Sequence, residues 1–87
     1  MARQVVKTET PNFNEPLTPE RLGKFIRARR TQDGIDMNTA AMMSDVSIAT
    51  LHRIENGNER TTIAAILKVC NTLGVRLMVE PWDETDA

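Results

Sequence analysis

The chain has 87 residues, 40% hydrophobic and 26% charged, with a formal net charge of −1. That length allows one domain around a single small core, and the composition is ordinary for a soluble globular protein. No apolar run approaches the roughly 18 residues needed to span a bilayer, and the opening M-A-R-Q-V-V-K-T-E-T has no apolar stretch, so neither a membrane span nor a secretory signal is expected.

Residues 1–16 contain Pro11 and Pro16 and show no helical period. They read as an extended or mobile arm. Within them, Gln4-Val5-Val6-Lys7 is a short strand candidate if something pairs with it. At L-T-P-E-R-L a helix begins. Thr18 is the N-cap, Pro19 sits at the first helical position, and Glu20 suits the helix dipole. Leu22, Phe25 and Ile26 form its buried stripe. The arginines of this helix are by default a solvated face, with Arg27 the one expected to approach a nucleic-acid backbone. The helix should end near Thr31–Gln32, ahead of the Asp33-Gly34 turn.

A second short helix runs from Met37 to Met43, capped by Asp36. Its small residues Ala40 and Ala41 permit close approach of another helix. Ser44-Asp45-Val46 forms a turn. A third helix follows in V-S-I-A-T-L-H-R-I-E-N-G, with Ser47 as N-cap and Gly57 after its end. Thr50, Leu51 and Ile54 should face inward, leaving Ile48, Ala49, His52, Arg53 and Asn56 outward. Asn58 to Thr61 is a polar loop. Thr62 caps a fourth helix bearing Ile63, Ile66, Leu67, Val69, Cys70 and Leu73, which Gly74 ends. Of the methionines, 42, 43 and 78 are expected in the core and Met37 exposed. Cys70 is expected as a buried packing thiol.

V-R-L-M-V-E, residues 75–80, reads as a strand with Val75, Leu77 and Val79 on one face. A lone strand is unsatisfied. Either Gln4–Lys7 or a second copy of the chain must supply its partner, and the two-fold pairing is preferred. Val75, Arg76, Leu77, Met78 and Val79 are then the dimerisation residues. Residues 81–87 form an acidic tail containing Trp82, which either covers the dimer or anchors a separate partner.

Function classes narrow quickly. One cysteine excludes an internal disulfide and a cysteine-rich zinc site, and a reducing cytoplasmic setting fits. Catalysis or metal binding at His52 would need partners that a chain with one histidine lacks. There is no credible pair of catalytic carboxylates, no glycine-rich phosphate loop and no nucleophile–base pair, so an enzyme is not expected and no cofactor is implied. RNA binding lacks its aromatic platform. The charge of −1 hides an asymmetry. Glu80, Asp83, Glu84 and Asp86 crowd the last eight residues, whereas residues 1–79 hold all 11 bases and a net +3. A polyanion responds to the local patch.

Two short helices joined by a tight turn outline a helix-turn-helix. From Leu22 to Val79, the pieces L-G-K-F-I-R-A-R-R, G-I-D-M-N-T-A-A, V-S-I-A-T-L-H-R-I-E-N-G and T-T-I-A-A-I-L-K-V-C-N-T-L-G-V follow in order. Together they resemble the phage-repressor-like (Xre, Cro/cI-type) DNA-binding domains. The strand directly after the fourth helix, in L-G-V-R-L-M-V, is similar to that of HipB-type antitoxins, whose strand pairs across a dimer and whose partner is a HipA-type kinase toxin. The fold implied is mainly α. It is a helix-turn-helix domain of about four helices over residues 17–80, plus one C-terminal strand pairing across a dimer.

The resemblance implies site residues. Ser47, Ile48, Ala49, His52 and Arg53 fall where the family reads bases or touches phosphate. Asn56 and Asn58, Arg60 and Thr61 of the following loop fall where it contacts phosphate. It also pairs Arg30 with Glu55. Two positions depart from the family. Met37 stands where a phosphate-anchoring glutamine is frequent, so Asn38 or backbone N–H groups alone must serve. Ile48 and Ala49 offer contact to thymine methyls and no hydrogen bonds, which leaves polar readout to Arg53 on guanine O6 and N7, with His52 assisting, and a larger share to DNA shape. The expectation is a cytoplasmic, nucleoid-associated homodimer on a palindromic operator, acting as a repressor and as the antitoxin of a HipA-type toxin. The alternatives are a module that mainly neutralises a toxin, with Trp82 as its anchor, and a stand-alone regulator of the same family.

Overall fold

The computed structural model describes residues 5–83; Gln4, and Glu84 and Asp86 of the acidic tail, lie outside them. Four helices follow one another: α1 (Pro19–Gln32), α2 (Met37–Ser44), α3 (Ile48–Glu55) and α4 (Ile63–Leu73). Every N-terminus is capped by a side-chain oxygen. Thr18, Asp36, Ser47 and Thr62 accept from the N–H groups of Arg21, Thr39, Thr50 and Ala65, each satisfying one of the donors a helix start leaves free. At Asp36 the Thr39 N–H bond holds the carboxyl below its ordinary value of 3.8. This cap therefore contributes above that pH and is lost as pH falls through the lowered value.

The core is aliphatic and spread over all the helices. Leu22, Ile26, Ala40, Ala41, Leu51, Ile54, Val69, Cys70 and Leu73 form one buried cluster. Ala40 and Ala41 are the small surfaces on which α2 meets its neighbours. The Cys70 thiol is fully buried, and desolvation pushes it up to about 11, so it packs as a protonated apolar group. Phe25, expected in the buried stripe, is only half-buried, and Phe13 of the arm packs against it with the ring centroids 5.2 Å apart.

Residues 8–15 lie against α1. The Thr8 N–H donates to Thr31 Oγ1 at 3.0 Å, and Gln32 Nε2 donates to the Thr8 carbonyl at 2.8 Å and to Thr10 Oγ1 at 2.9 Å. Arg21 pairs with Glu15 at 2.7 Å, donates to the Asn12 carbonyl and lies over the Phe25 ring.

Several expectations are corrected. Helix α2 runs one residue further, to Ser44, and the turn is Asp45-Val46-Ser47. Asp45 reverses the chain at φ 57°, in the left-handed region, which an aspartate tolerates better than most residues. Met42, Met43 and Met78 are exposed, whereas Met37 is half-buried against the core. The apolar need is met by the alanines of α2, which point inward where the adjacent methionines point out. The outer edge of α4 also stays open at Ile63 and Leu67.

Residues 75–80 form no strand among the described residues, nor do residues 5–7. The segment leaves α4 through a Val75 N–H bond to the Cys70 carbonyl and lays Val75 and Leu77 on the core, while Met78 and Val79 are exposed. A strand needs a ladder, and among the described residues no segment pairs with this one. No described helix is long and apolar enough to cross a membrane.

The most constrained junction joins α1 to the end of α3. Gly23 is buried so tightly that a Cβ there would stand 2.5 Å from the Glu55 carbonyl oxygen and 2.6 Å from that of Ile54. Two turns further on, Arg30 clamps the Glu55 carboxylate with two bonds, Nε to Oε2 at 2.6 Å and Nη2 to Oε1 at 2.9 Å. Its third nitrogen donates to the Ile35 carbonyl at 2.9 Å. Both residues are under a tenth exposed.

Glu55→Ala strands a buried guanidinium and is expected to cost roughly 3–5 kcal/mol, read as a sharp fall in melting temperature; a wild-type melt would show the pair to be dispensable. Gly23→Ala is expected to destabilise by about 1–3 kcal/mol in denaturant unfolding through overpacking, although alanine is the better helix former by about 1 kcal/mol. A more stable variant would mean that α1 and α3 are not pressed together there.

Candidate nucleic-acid interface

Helix α3 divides into two faces. Leu51, Ile54 and Glu55 are buried and fix it to the body of the domain, and Thr50 is half-buried. Ile48, Ala49, His52, Arg53 and Asn56 are all exposed on the other side. Ile48 and His52, and Ala49 and Arg53, are i, i+4 pairs, so the face carries two rows, each with an apolar residue first and a basic or aromatic polar one a turn later. Ile48 is half-exposed, at 51%, with no core partner to explain its presence there.

Ser47 is occupied locally. Its hydroxyl caps α3 and bonds Thr50 Oγ1 at 2.9 Å. Asn56 also folds back along the helix surface: its amide nitrogen lies 2.8 Å from the His52 carbonyl oxygen and 3.0 Å from His52 Nδ1.

The loop after α3 is fixed by its own side chains. Asn58 Oδ1 accepts the Arg60 N–H at 2.8 Å, and the Thr61 hydroxyl donates to the Asn58 carbonyl at 3.1 Å. Gly57, at φ 74°, allows the chain to turn there beneath Glu20, whose Cα would be 2.8 Å from an added Cβ. The result is an open cleft of about 500 Å³ between α3 and the start of α4, lined by Thr50, Arg53, Asn58, Arg60, Thr61, Thr62 and Ala65. Two arginines and the start of α4 line it, which is an arrangement suited to an anion. Thr50 and Thr62 were not among the residues singled out from the sequence. Their capping and inward roles concealed that they also wall this cleft.

Other expected positions lie apart from it. Asn38 is exposed on the first turn of α2, next to the Asp36 carboxylate that already caps that helix. An anion there would meet a negative charge, so this helix start is less favourable than that of α4. Arg27 is exposed on α1. Val75, Arg76, Leu77 and Met78 do not join α3. They line a second cleft, of about 620 Å³, with Phe13, Leu17 and Phe25 on its opposite walls. Val79 and Trp82 are exposed, Trp82 at 74%. No group of three or more residues able to hold a metal ion occurs among the described residues.

Helices α2 and α3 pack together across the Asp45 turn, and α3 presents the mixed face with a basic cleft at its end. A family model described as helix-turn-helix, of the Cro/C1 type, matches residues 26–78, which takes in the end of α1, all of α2 to α4 and the segment after them. No curated protein matches the chain. The match spans more than half of the chain, and the protein belongs to the Cro/C1-type helix-turn-helix family, a family of DNA-binding domains.

Proposed function

We propose that the protein is a sequence-specific DNA-binding repressor that acts as a homodimer. The observation that carries this reading is the α3 surface, where Ile48, Ala49, His52 and Arg53 lie in two exposed rows beside a cleft lined by Arg53 and Arg60. A major-groove edge offers methyl groups as well as hydrogen-bonding atoms, and a mixed face is complementary to it. Ile48 and Ala49 meet thymine methyls. Arg53 reads guanine O6 and N7, and Asn58, Arg60 and Thr61 hold the adjacent phosphate. Asn38 and Arg27 contribute weaker backbone contacts, and Ser47 sets the entry of α3 into the groove.

The segment after α4 supports the dimer reading. Val75 and Leu77 are seated on the core, whereas Met78 and Val79 are more than four-fifths exposed. Antiparallel pairing of Val75–Val79, including Arg76, with the same segment of a second copy satisfies that backbone and covers those side chains. Two recognition helices about 34 Å apart then match successive turns of a palindromic site.

A second reading is favoured by Trp82, a large aromatic side chain exposed beyond this segment. Such a residue is a suitable anchor for a protein partner. With the resemblance to HipB-type antitoxins, it supports a protein that represses its own operon and neutralises a HipA-type toxin.

Selection from random duplexes tests the main reading and should return a palindrome. Arg53→Ala is expected to weaken binding to it by roughly 1–3 kcal/mol and to relax preference at one base pair per half-site. Equal loss on selected and random DNA would reduce Arg53 to a phosphate contact. For the second reading, truncation before Trp82 should leave DNA binding intact and abolish co-purification with a kinase-like partner; retained co-purification would remove the anchor role.

A further inference from the structure

Asn56 and His52 interlock on the exposed face of α3. A backbone carbonyl only accepts hydrogen bonds, so the atom of Asn56 that lies 2.8 Å from the His52 oxygen must be its NH2 group. That fixes the orientation of the amide. The same nitrogen carries a second hydrogen and stands 3.0 Å from the ring Nδ1. Nδ1 is then the acceptor, and an imidazole that accepts at Nδ1 is neutral and carries its proton on Nε2.

We propose that Asn56 is a positioning residue for base recognition: it locks His52 as the Nε2–H tautomer, so that α3 offers a fixed donor at this point and rejects cytosine. The proposal rests on the DNA-binding reading above. In the major groove guanine presents the acceptors N7 and O6, thymine O4, and adenine N7 beside its N6 amino donor, whereas cytosine presents only the N4 amino donor and no acceptor. A donor facing that amino group gains no bond and leaves two donors opposed. An imidazole free to exchange tautomers could turn an unprotonated nitrogen toward cytosine and accept from it; the Asn56 amide removes that option. Asn56 thereby acts on specificity through its neighbour, without touching DNA itself.

Two measurements test this. The chain has one histidine, so long-range proton–nitrogen NMR of the free protein at pH 8 gives a single pair of ring signals. Wild type should show a protonated Nε2 and an accepting Nδ1. Asn56→Ala should move both signals toward a tautomeric mixture, and Asn56→Asp, which replaces the NH2 by an acceptor, should place the proton on Nδ1. A protonated Nδ1 in wild type, or ring signals unchanged by both substitutions, overturns the proposal.

The second measurement is competition among duplexes carrying each base at the pair whose preference His52→Ala abolishes. Wild type should bind the cytosine duplex about five- to tenfold more weakly, the scale of one hydrogen bond. In Asn56→Ala that penalty should fall to about half or less, with the salt dependence unchanged. A retained cytosine penalty refutes the lock. Uniform weakening on every duplex, with a salt slope shallower by about one, would make Asn56 a phosphate contact instead. If wild type prefers no duplex at all, the sequence-specific reading falls and cytosine rejection with it, while the ring signals still report whether Asn56 holds the tautomer.

Discussion

The contact of α1 with the last turn of α3 is the constraint on which the rest of the molecule depends. Gly23 lets the two backbones come so close that a single methyl group would collide with the Ile54 and Glu55 carbonyls. Arg30 then reaches over from the same helix and ties the Glu55 carboxylate with two buried bonds. Burying two charges is expensive, and the pair is tolerable only because its geometry is good and the remaining guanidinium nitrogen finds the Ile35 carbonyl. What the pair contributes is placement: α3 has eight residues and three buried ones, too little to hold its own angle.

That placement produces the outward face. With Leu51, Ile54 and Glu55 turned inward, the helical period leaves Ile48, Ala49, His52 and Arg53 facing solvent, and the Gly57 turn brings the Asn58–Thr61 loop alongside. The cleft between α3 and α4 gathers two arginines and a helix start without any buried charge of its own. In the proposed function the cleft serves phosphate and the two exposed rows serve bases, and Arg53 is common to both. The chain's slight overall negative charge does not oppose this, because four of the 12 acids fall in the last eight residues, after α4 in the chain, and a polyanion responds to the local patch.

The arm gives α1 a second layer. Thr8 and Thr10 bind the Thr31–Gln32 end, while Asn12, Phe13 and Glu15 gather around Arg21 and Phe25 at the other. A helix whose inner side presses on α3 is thus covered on its outer side as well. In a domain this small such coverage matters, since one aliphatic cluster supplies nearly all the apolar burial.

The helices, their caps and the inward set of α3 were legible in the sequence, because caps and periodicity are local: Thr18-Pro19, Asp36, Ser47 and Thr62 each act within one turn. The Arg30–Glu55 pair was legible through family resemblance, not through spacing, since 25 residues separate its members. The role of Gly23 was not legible, because nothing local reveals which backbone presses on it. The methionines of α2 misled, because hydrophobicity alone does not say which side of a short helix the alanines will claim. The segment Val75–Glu80 has strand-forming residues but no paired neighbour among the described residues, and a strand is a property of two segments. The sequence by itself determined the four helices and the side chains offered to a ligand. Only the tertiary structure decided how closely α1 meets α3, which residues wall the cleft, and that Asn56 turns back onto His52, because each depends on groups brought together by packing and not by adjacency.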